Sequence, residues 1–161
     1  MHLGLSIPLF NEEELVTEVV ASIQACLQNA GIEHTLVLVN NGSHDRTGDI
    51  IRDIHQPGRI EGVHLFKNFG YGGGILAGIA HLEQTGLPDV VGWCWGDGQV
   101  SAQVLPPLFA AVVAGSDIAK VKRTERHDGL QRQVVTHAYA GLMRVLGVRD
   151  PDINGCPKLM S

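Results

Sequence analysis

Val90-Val91-Gly92-Trp93-Cys94-Trp95-Gly96-Asp97-Gly98-Gln99 is a short apolar run that ends on one carboxylate and one amide. Gly86-Leu87-Pro88 precedes it and a polar break with a new helical pattern follows, so it reads as a buried parallel strand whose carboxyl end opens into a loop. In an open α/β sheet that end is where ligands bind. Asp97 and Gln99 lie two apart across a glycine and can direct hard oxygen ligands at one point, while Gly96 and Gly98 leave room for a ligand to approach the backbone. The alternative is that Asp97 only caps the turn that follows.

Upstream of this strand the chain repeats one pattern, a short β-type run, a polar loop and a helix. Residues 3–7 form the first run, which Pro8 is expected to halt because it cannot donate in a ladder. After the Pro8-Leu9-Phe10 loop, Asn11 is placed to cap a helix, with Glu12, Glu13 and Glu14 in its first turn and Glu14 closing a capping box. Leu15, Val16, Val19, Val20, Ile23, Cys26, Leu27 and Ala30 recur at helical spacing until Gly31. Residues 35–39 are apolar on both faces, as a central parallel strand requires, and run into Asn40-Asn41-Gly42-Ser43-His44-Asp45. Ser43 or Asp45 can cap the next helix, which buries Ile50, Ile51 and Ile54. Residues 62–66 give a third strand, residues 68–74 a glycine-rich loop, and Ile75, Leu76, Ile79 and Leu82 the packing face of a third helix.

Downstream, Pro106 and Pro107 suit the first turn of a helix reaching about Ala114. Residues 117–122 alternate apolar and polar, which predicts a strand near the sheet edge. A basic loop with Arg123, Arg126 and Arg132 leads to a last helix carrying Leu130, Val134, Val135, Ala138, Leu142, Met143 and Leu146. Alternating strands and helices imply right-handed crossovers and a mostly parallel, Rossmann-like sheet with helices on both faces.

Composition bounds the partners. With 161 residues, 44% of them hydrophobic, the chain is expected to form a single domain with a real core. A formal charge of -5 leaves no basic footprint, so nucleic acid is excluded as a partner. Cys26, Cys94 and Cys156 have no metal-type spacing and read as reduced, intracellular thiols; no apolar run nears the roughly 20 residues that span a bilayer. A cytoplasmic location is the expectation. The eight histidines include no i, i+4 pair and read as scattered surface or loop residues.

Four loops, residues 8–12, 40–45, 67–74 and 96–99, should gather on one edge of the sheet. They supply amides, carboxylates, glycines and backbone N–H groups, and no Ser/His/Asp or Cys/His nucleophile set. Such a rim suits a nucleotide diphosphate held through a divalent cation. Arg123, Arg126 and Arg132 either face its phosphates or form a solvated charged loop. A competing reading is a dinucleotide site, since Gly72-Gly73-Gly74-Ile75-Leu76-Ala77 formally matches G-x-G-x-x-A; it falls after the third strand, however, and not the first.

Taken together, five segments resemble, in order, the motifs of glycosyltransferase family 2, and most closely its dolichol-phosphate mannose synthase-like, polyprenyl-phosphate branch. They are Ser6-Ile7-Pro8-Leu9-Phe10-Asn11-Glu12-Glu13, Asn40-Asn41-Gly42-Ser43-His44-Asp45-Arg46-Thr47, Lys67-Asn68-Phe69-Gly70-Tyr71-Gly72-Gly73, Trp95-Gly96-Asp97-Gly98-Gln99 and Asp152-Ile153-Asn154-Gly155-Cys156-Pro157-Lys158-Leu159. The resemblance implies a GT-A type nucleotide-sugar-binding fold and inverting transfer of a sugar, with Mg2+ or Mn2+, from a UDP- or GDP-linked donor to an acceptor such as a polyprenyl phosphate at a membrane surface. By position it implies a nucleotide-sugar site drawn from Pro8, Phe10, Asn11, Glu12, Asn40, Gly42, Ser43, Asn68, Gly70, Trp95 and Gly96. Asp97, with Gln99, would hold the metal and be the catalytic group, and Arg123 and Arg132 would contact phosphate.

The departures are as informative. Asn40-Asn41 stands where the family usually has two aspartates, Trp95 replaces the first acid of its Asp-x-Asp, Tyr71 stands where lysine or arginine is common, and Cys156 replaces a usual glutamine. The chain also ends at Ser161, where family members continue, so the resemblance implies a domain lacking its C-terminal acceptor side. Two classes follow: an active glycosyltransferase domain, or a non-catalytic nucleotide-binding relative.

Overall fold

The structure is a computed structural model that describes residues 1–86, 88–121 and 155–161. The expected last helix, the basic loop and residues 152–154 of the fifth motif lie outside the described residues. Six strands form one sheet in the order β3-β2-β1-β4-β6-β5. They are β1 (His2–Leu9), β2 (Glu33–Asn41), β3 (Ile60–Leu65), β4 (Val90–Trp93), β5 (Ile118–Lys120) and β6 (Lys158–Met160). β1 runs parallel to β2 and β4, and β2 parallel to β3, while β6 is antiparallel to both its neighbours.

The central strand β1 divides its work between two faces. Leu3, Leu5, Ile7 and Leu9 point into one cluster with Leu36 and Leu38 of β2 and with Val16, Val20, Ile23 and Leu27 of α1 (Val16–Asn29). Leu105 and Val112 of α4 (Leu105–Val113) join the same cluster, as does Ile51 of α2 (Thr47–Asp53). The alternate residues Gly4, Ser6 and Pro8 are small and face α3 (Gly70–Thr85). Gly74 of α3 approaches Pro8, Gly78 approaches Ser6, and Leu82 approaches Gly4. Four helical residues advance about 6 Å and two strand residues about 6.6 Å, so this four-against-two register holds along the whole contact. Helices therefore cover both faces, as the alternation predicts.

Several boundaries differ from the sequence reading. Pro8 lies within β1 and pairs with Val39 instead of ending the strand. Ser6 O accepts from Cys94 N on the β4 side, and the last β1–β4 pair is Ser6 with Trp93. Pro8, two residues on, faces that same side beyond the end of the ladder, where no N–H is required. Asn11 does not cap α1, which starts four residues later than expected, after Leu15 and without a side-chain cap. Instead Asn11 adopts φ 57, the left-handed conformation that asparagine tolerates, and turns its side chain to the loop after β2. Gly70 to Gly74 form the first turn of α3 and are not a free loop. Leu76 points outward at 68% exposure. β6, inserted between β4 and the edge strand β5, has no strand counterpart in the sequence reading.

Candidate nucleotide-sugar site

The strand order reverses between β1 and β4, because β1 leads through α1 to β2 on one side while β4 is reached through α3 on the other. Crevices at such a point, outside the carboxyl ends of the strands, are where open α/β sheets hold ligands. A cleft of about 240 Å³ lies there, lined by Pro8, Leu9, Phe10 and Glu12 from the end of β1, Asn41 from β2, Asn68, Gly70 and Tyr71 at the start of α3, and Trp95, Gly96 and Asp97 after β4.

Two loops are laced together beside it by side chains that meet backbone N–H groups. Asn11 N donates to Ser43 Oγ (3.1 Å), His44 N to Asn11 Oδ1 (2.9 Å), Glu12 N to Thr47 Oγ1 (2.8 Å) and Arg46 N to Glu13 Oε2 (2.9 Å). Asp45 accepts from both Glu13 N and Thr47 N, but the N-cap of α2 is Arg46, which makes no side-chain cap, so neither Ser43 nor Asp45 occupies the cap position the sequence suggested. Burial pushes the Asp45 carboxyl upward, but hydrogen bonds from Thr47 and Glu13 outweigh it and hold the group below its ordinary value. Asn40 Oδ1 accepts from Ser43 N (3.0 Å), and its amide nitrogen lies 3.3 Å from His64 Nδ1. Asn11, Asn40, Gly42 and Ser43 thus build the frame of the cleft and do not line it.

Asn41 is the lining residue from this motif and is 3% exposed. Its Nδ2 donates to Gly70 O (3.0 Å) and Asn68 Oδ1 (3.3 Å), and its Oδ1 accepts from Phe69 N (3.1 Å). The amide donates from one end and accepts at the other; an ionised aspartate could only accept and would face the Gly70 carbonyl with an anion. The Asp-to-Asn departure is therefore matched to its surroundings. Its signal in the sequence was the neighbouring position of a motif already singled out.

Glu12 and Asp97 bring two carboxylates to one cleft. Burial raises the Glu12 pKa, and the charges of Asp97 and Asp45 raise it further. Asp97 Oδ1 accepts from Gln99 N (3.1 Å), while the Gln99 side chain is exposed and outside the cleft lining. No group of three or more His, Cys, Asp or Glu side chains suited to a metal occurs among the described residues. Such a donor set does not cage a cation, but it fits one that takes most of its oxygens from a bound diphosphate and from water, as Mg2+ does. Tyr71 and Trp95 line the same cleft, ring centroids 6.5 Å apart, and Tyr71 OH lies 3.2 Å from Cys156 Sγ. Three departures from the family pattern are thus one cluster. Arg123 and Arg132 lie outside the described residues. The glycines of the dinucleotide-like match instead open α3 to the sheet: a Cβ at Gly74 would meet Pro8 Cβ at 2.7 Å.

Comparison with known proteins agrees with this geometry. The chain is 30% identical over 152 residues to an undecaprenyl-phosphate 4-deoxy-4-formamido-L-arabinose transferase of Edwardsiella ictaluri (strain 93-146), covering 93% of this chain and 46% of that protein. A protein of the same name from Enterobacter sp. (strain 638) is 31% identical over 124 residues, covering 76% of this chain and 37% of its own length. The chain thus spans under half the length of these relatives, which are polyprenyl-phosphate sugar transferases by name. Among solved structures, mannosyl-3-phosphoglycerate synthase from Rubrobacter xylanophilus superposes with TM-score 0.74 at 15% identity, over 100% of this chain and 53% of that one. Glucosyl-3-phosphoglycerate synthase from Mycobacterium tuberculosis, in complex with Mn2+, UDP and phosphoglyceric acid, gives TM-score 0.69 at 21% identity, over 99% and 55%. The pattern described as Glycosyl transferase family 2 matches residues 5–155, and the chain belongs to that family.

Proposed function

We propose that this chain is the donor-binding part of a metal-dependent inverting glycosyltransferase, which holds a UDP- or GDP-linked sugar in the cleft between β1 and β4 and passes the sugar to a polyprenyl phosphate at a membrane surface. The observation that carries the reading is the meeting of Glu12, Asn41, Tyr71, Trp95 and Asp97 in one cleft at the switch point of the sheet. The named activities of the relatives and the Mn2+ and UDP in the neighbour's complex support it.

In this reading Asp97 holds the cation on the diphosphate, and Gln99, whose side chain lies outside the cleft lining, contributes through its backbone N–H to Asp97. The bound Mg2+ or Mn2+ supplies charge neutralisation on the departing diphosphate. Phe10, at 39% exposure beside the cleft, offers an aromatic face to the base, and the laced loops keep that face in place. The Asp97–Gln99 backbone contact fixes one carboxylate oxygen and leaves the other to the ligand. Inversion needs the acceptor oxygen in line behind the sugar carbon, and a phosphate acceptor arrives already anionic, so no general base is required of this chain. Arg123 and Arg132 are the proposed phosphate contacts.

Calorimetric titration with UDP and GDP, with and without Mn2+, tests the reading. One diphosphate should bind more tightly with the cation, and Asp97→Ala should remove that increment. Equal affinity with and without Mn2+, or no change in Asp97→Ala, contradicts the metal role; tighter binding of NAD than of either diphosphate contradicts the donor site itself.

A further inference from the structure

We propose that the junction of β3 and α3 is a membrane-docking surface, on which Phe66, Phe69 and Leu76 seat in the headgroup region of a bilayer while Lys67 reaches a lipid phosphate. The inference rests on the donor-site reading above for the lipid acceptor that gives such a surface its use; the contact itself is measured without nucleotide.

The patch is apolar, exposed and continuous. Phe66, Phe69 and Leu76 are exposed by 85%, 46% and 68%. The two rings meet edge to face, with centroids 5.2 Å apart and an interplanar angle of 85°. Phe69 directly precedes α3, and a Cβ on Gly73 would meet Phe69 Cβ at 2.6 Å, so the stem of that side chain lies against the first turn of the helix. Leu76 follows Gly73 by three residues, the spacing that puts two positions on one helix face. At its exposure Phe66 buries almost no area, so the stability of the fold does not account for it. Clustered apolar side chains left in water mark interaction surfaces.

Charge selects the partner. Residues 62–82 carry Lys67 and no carboxylate, in a chain whose formal charge is -5. Lys67 Nζ lies 5.5 Å from the Phe66 ring centroid and 5.0 Å from that of Phe69, so the ammonium sits with the rings. Aromatic and aliphatic side chains around a cation suit the bilayer interface, where the apolar groups enter the boundary with the acyl chains and the ammonium stays among the phosphates. A two-fold contact between copies of the chain would instead set Lys67 against Lys67. The backbone beneath the patch is held, since Phe69 N donates to Asn41 Oδ1 (3.1 Å) and Gly70 O accepts from Asn41 Nδ2 (3.0 Å). Asn68 and Gly70 line the cleft, whereas Phe66 and Phe69 do not. Docking on this patch therefore sets the cleft beside the headgroups, at the depth where a polyprenyl phosphate presents its phosphate.

The experiment is co-sedimentation of the whole chain, without nucleotide, with vesicles of phosphatidylglycerol and phosphatidylcholine in equal parts and with vesicles of phosphatidylcholine alone. The chain should partition reversibly onto the mixed vesicles at about millimolar lipid, as expected of one marginal anchor. Phe66→Ser combined with Leu76→Ser should lower the partition coefficient about tenfold on both vesicles. Lys67→Ala should lower it about fivefold on the mixed vesicles and less than about twofold on phosphatidylcholine. Val113→Ser, at an exposed position of α4 on the other face of the sheet, should change neither, and circular dichroism checks that each variant folds. In Phe66→Trp, the added emission should shift to the blue on vesicles and be quenched by brominated acyl chains. No partition of the unaltered chain, or unchanged partition in the double variant, overturns the inference, as does a dimer in sedimentation velocity that Phe66→Ser dissociates, which would assign the patch to a second copy. A chain that docks yet binds neither UDP nor GDP upholds this surface and overturns the donor-site reading; one that binds diphosphate and ignores vesicles does the reverse.

Discussion

At the scale of single residues, the site is made of side chains whose hydrogen-bonding capacity is already committed. Asn41 is the clearest case, donating twice and accepting once around the start of α3. Restoring the family's acid with Asn41→Asp would leave the Gly70 carbonyl without its donor and set an anion against it, which should cost about 1–3 kcal/mol in urea unfolding. Trp95 is the opposite case, a bulky ring where the family has an acid. Trp95→Asp adds a hard anionic ligand beside Asp97 and should tighten Mn2+-dependent diphosphate binding by about 1 kcal/mol, roughly fivefold, by calorimetry. Weaker binding with the fold intact would make the indole itself a nucleotide contact. Glu12 gives a prediction in pH. Its folded-state pKa is raised, so its contribution to stability is fully present below the unfolded glutamate value and is lost as pH rises through the folded one. Glu12→Gln should therefore stabilise the chain at pH 7 and leave it unchanged at pH 3, measured by urea midpoints.

At the scale of elements, the contact of α3 with β1 decides how closely the nucleotide-side loops approach. A Cβ on Gly78 would meet Ser6 Cβ at 2.7 Å and its hydroxyl, which already donates to Ile75 O. Alanine in a helix gains about 1 kcal/mol over glycine, while overpacking a tight seam costs about 1–3 kcal/mol; with Ser6 held in a central strand, the cost should win. Gly72 is also in α3, but nothing lies within 4 Å of a Cβ there. Thermal denaturation should show Gly78→Ala destabilised and Gly72→Ala unchanged or more stable. These glycines also show where sequence reading stops. Glycine at 74 and 78 marks a close approach, but the partner, a small residue two strands away in sequence, is set by tertiary register. Pro8 departs from the sequence expectation for a similar reason: whether its missing N–H matters depends on where the neighbouring ladder ends.

At the scale of the whole molecule, the alternating pattern was enough to predict a parallel sheet with helices on both faces and four loops on one edge, because crossover handedness and strand polarity follow from that order. Phe10, Glu12, Asn68, Gly70, Trp95 and Asp97, which the family resemblance implied by position, line one cleft. Asn11, Asn40 and Ser43 carry the same motif signal but are engaged in hydrogen bonds between the two loops (Asn11, Ser43) and within the second (Asn40 with Ser43), a distinction that needs the three-dimensional partner. The strand Lys158–Met160 escaped because three residues carry no periodicity; it is held by pairing with β4 and β5, where Gly92 leaves room for Leu159 and the Lys158 carbonyl. That insertion is what carries Cys156 to Tyr71.

Anomalous diffraction from crystals grown with Mn2+ and the tighter of UDP and GDP tests the central claim most directly. The account predicts a manganese peak bonded to the free oxygen of Asp97, with the diphosphate in the cleft between β1 and β4 and the base near Phe10. A nucleotide lodged elsewhere, or a manganese ion with no bond to Asp97, would contradict it.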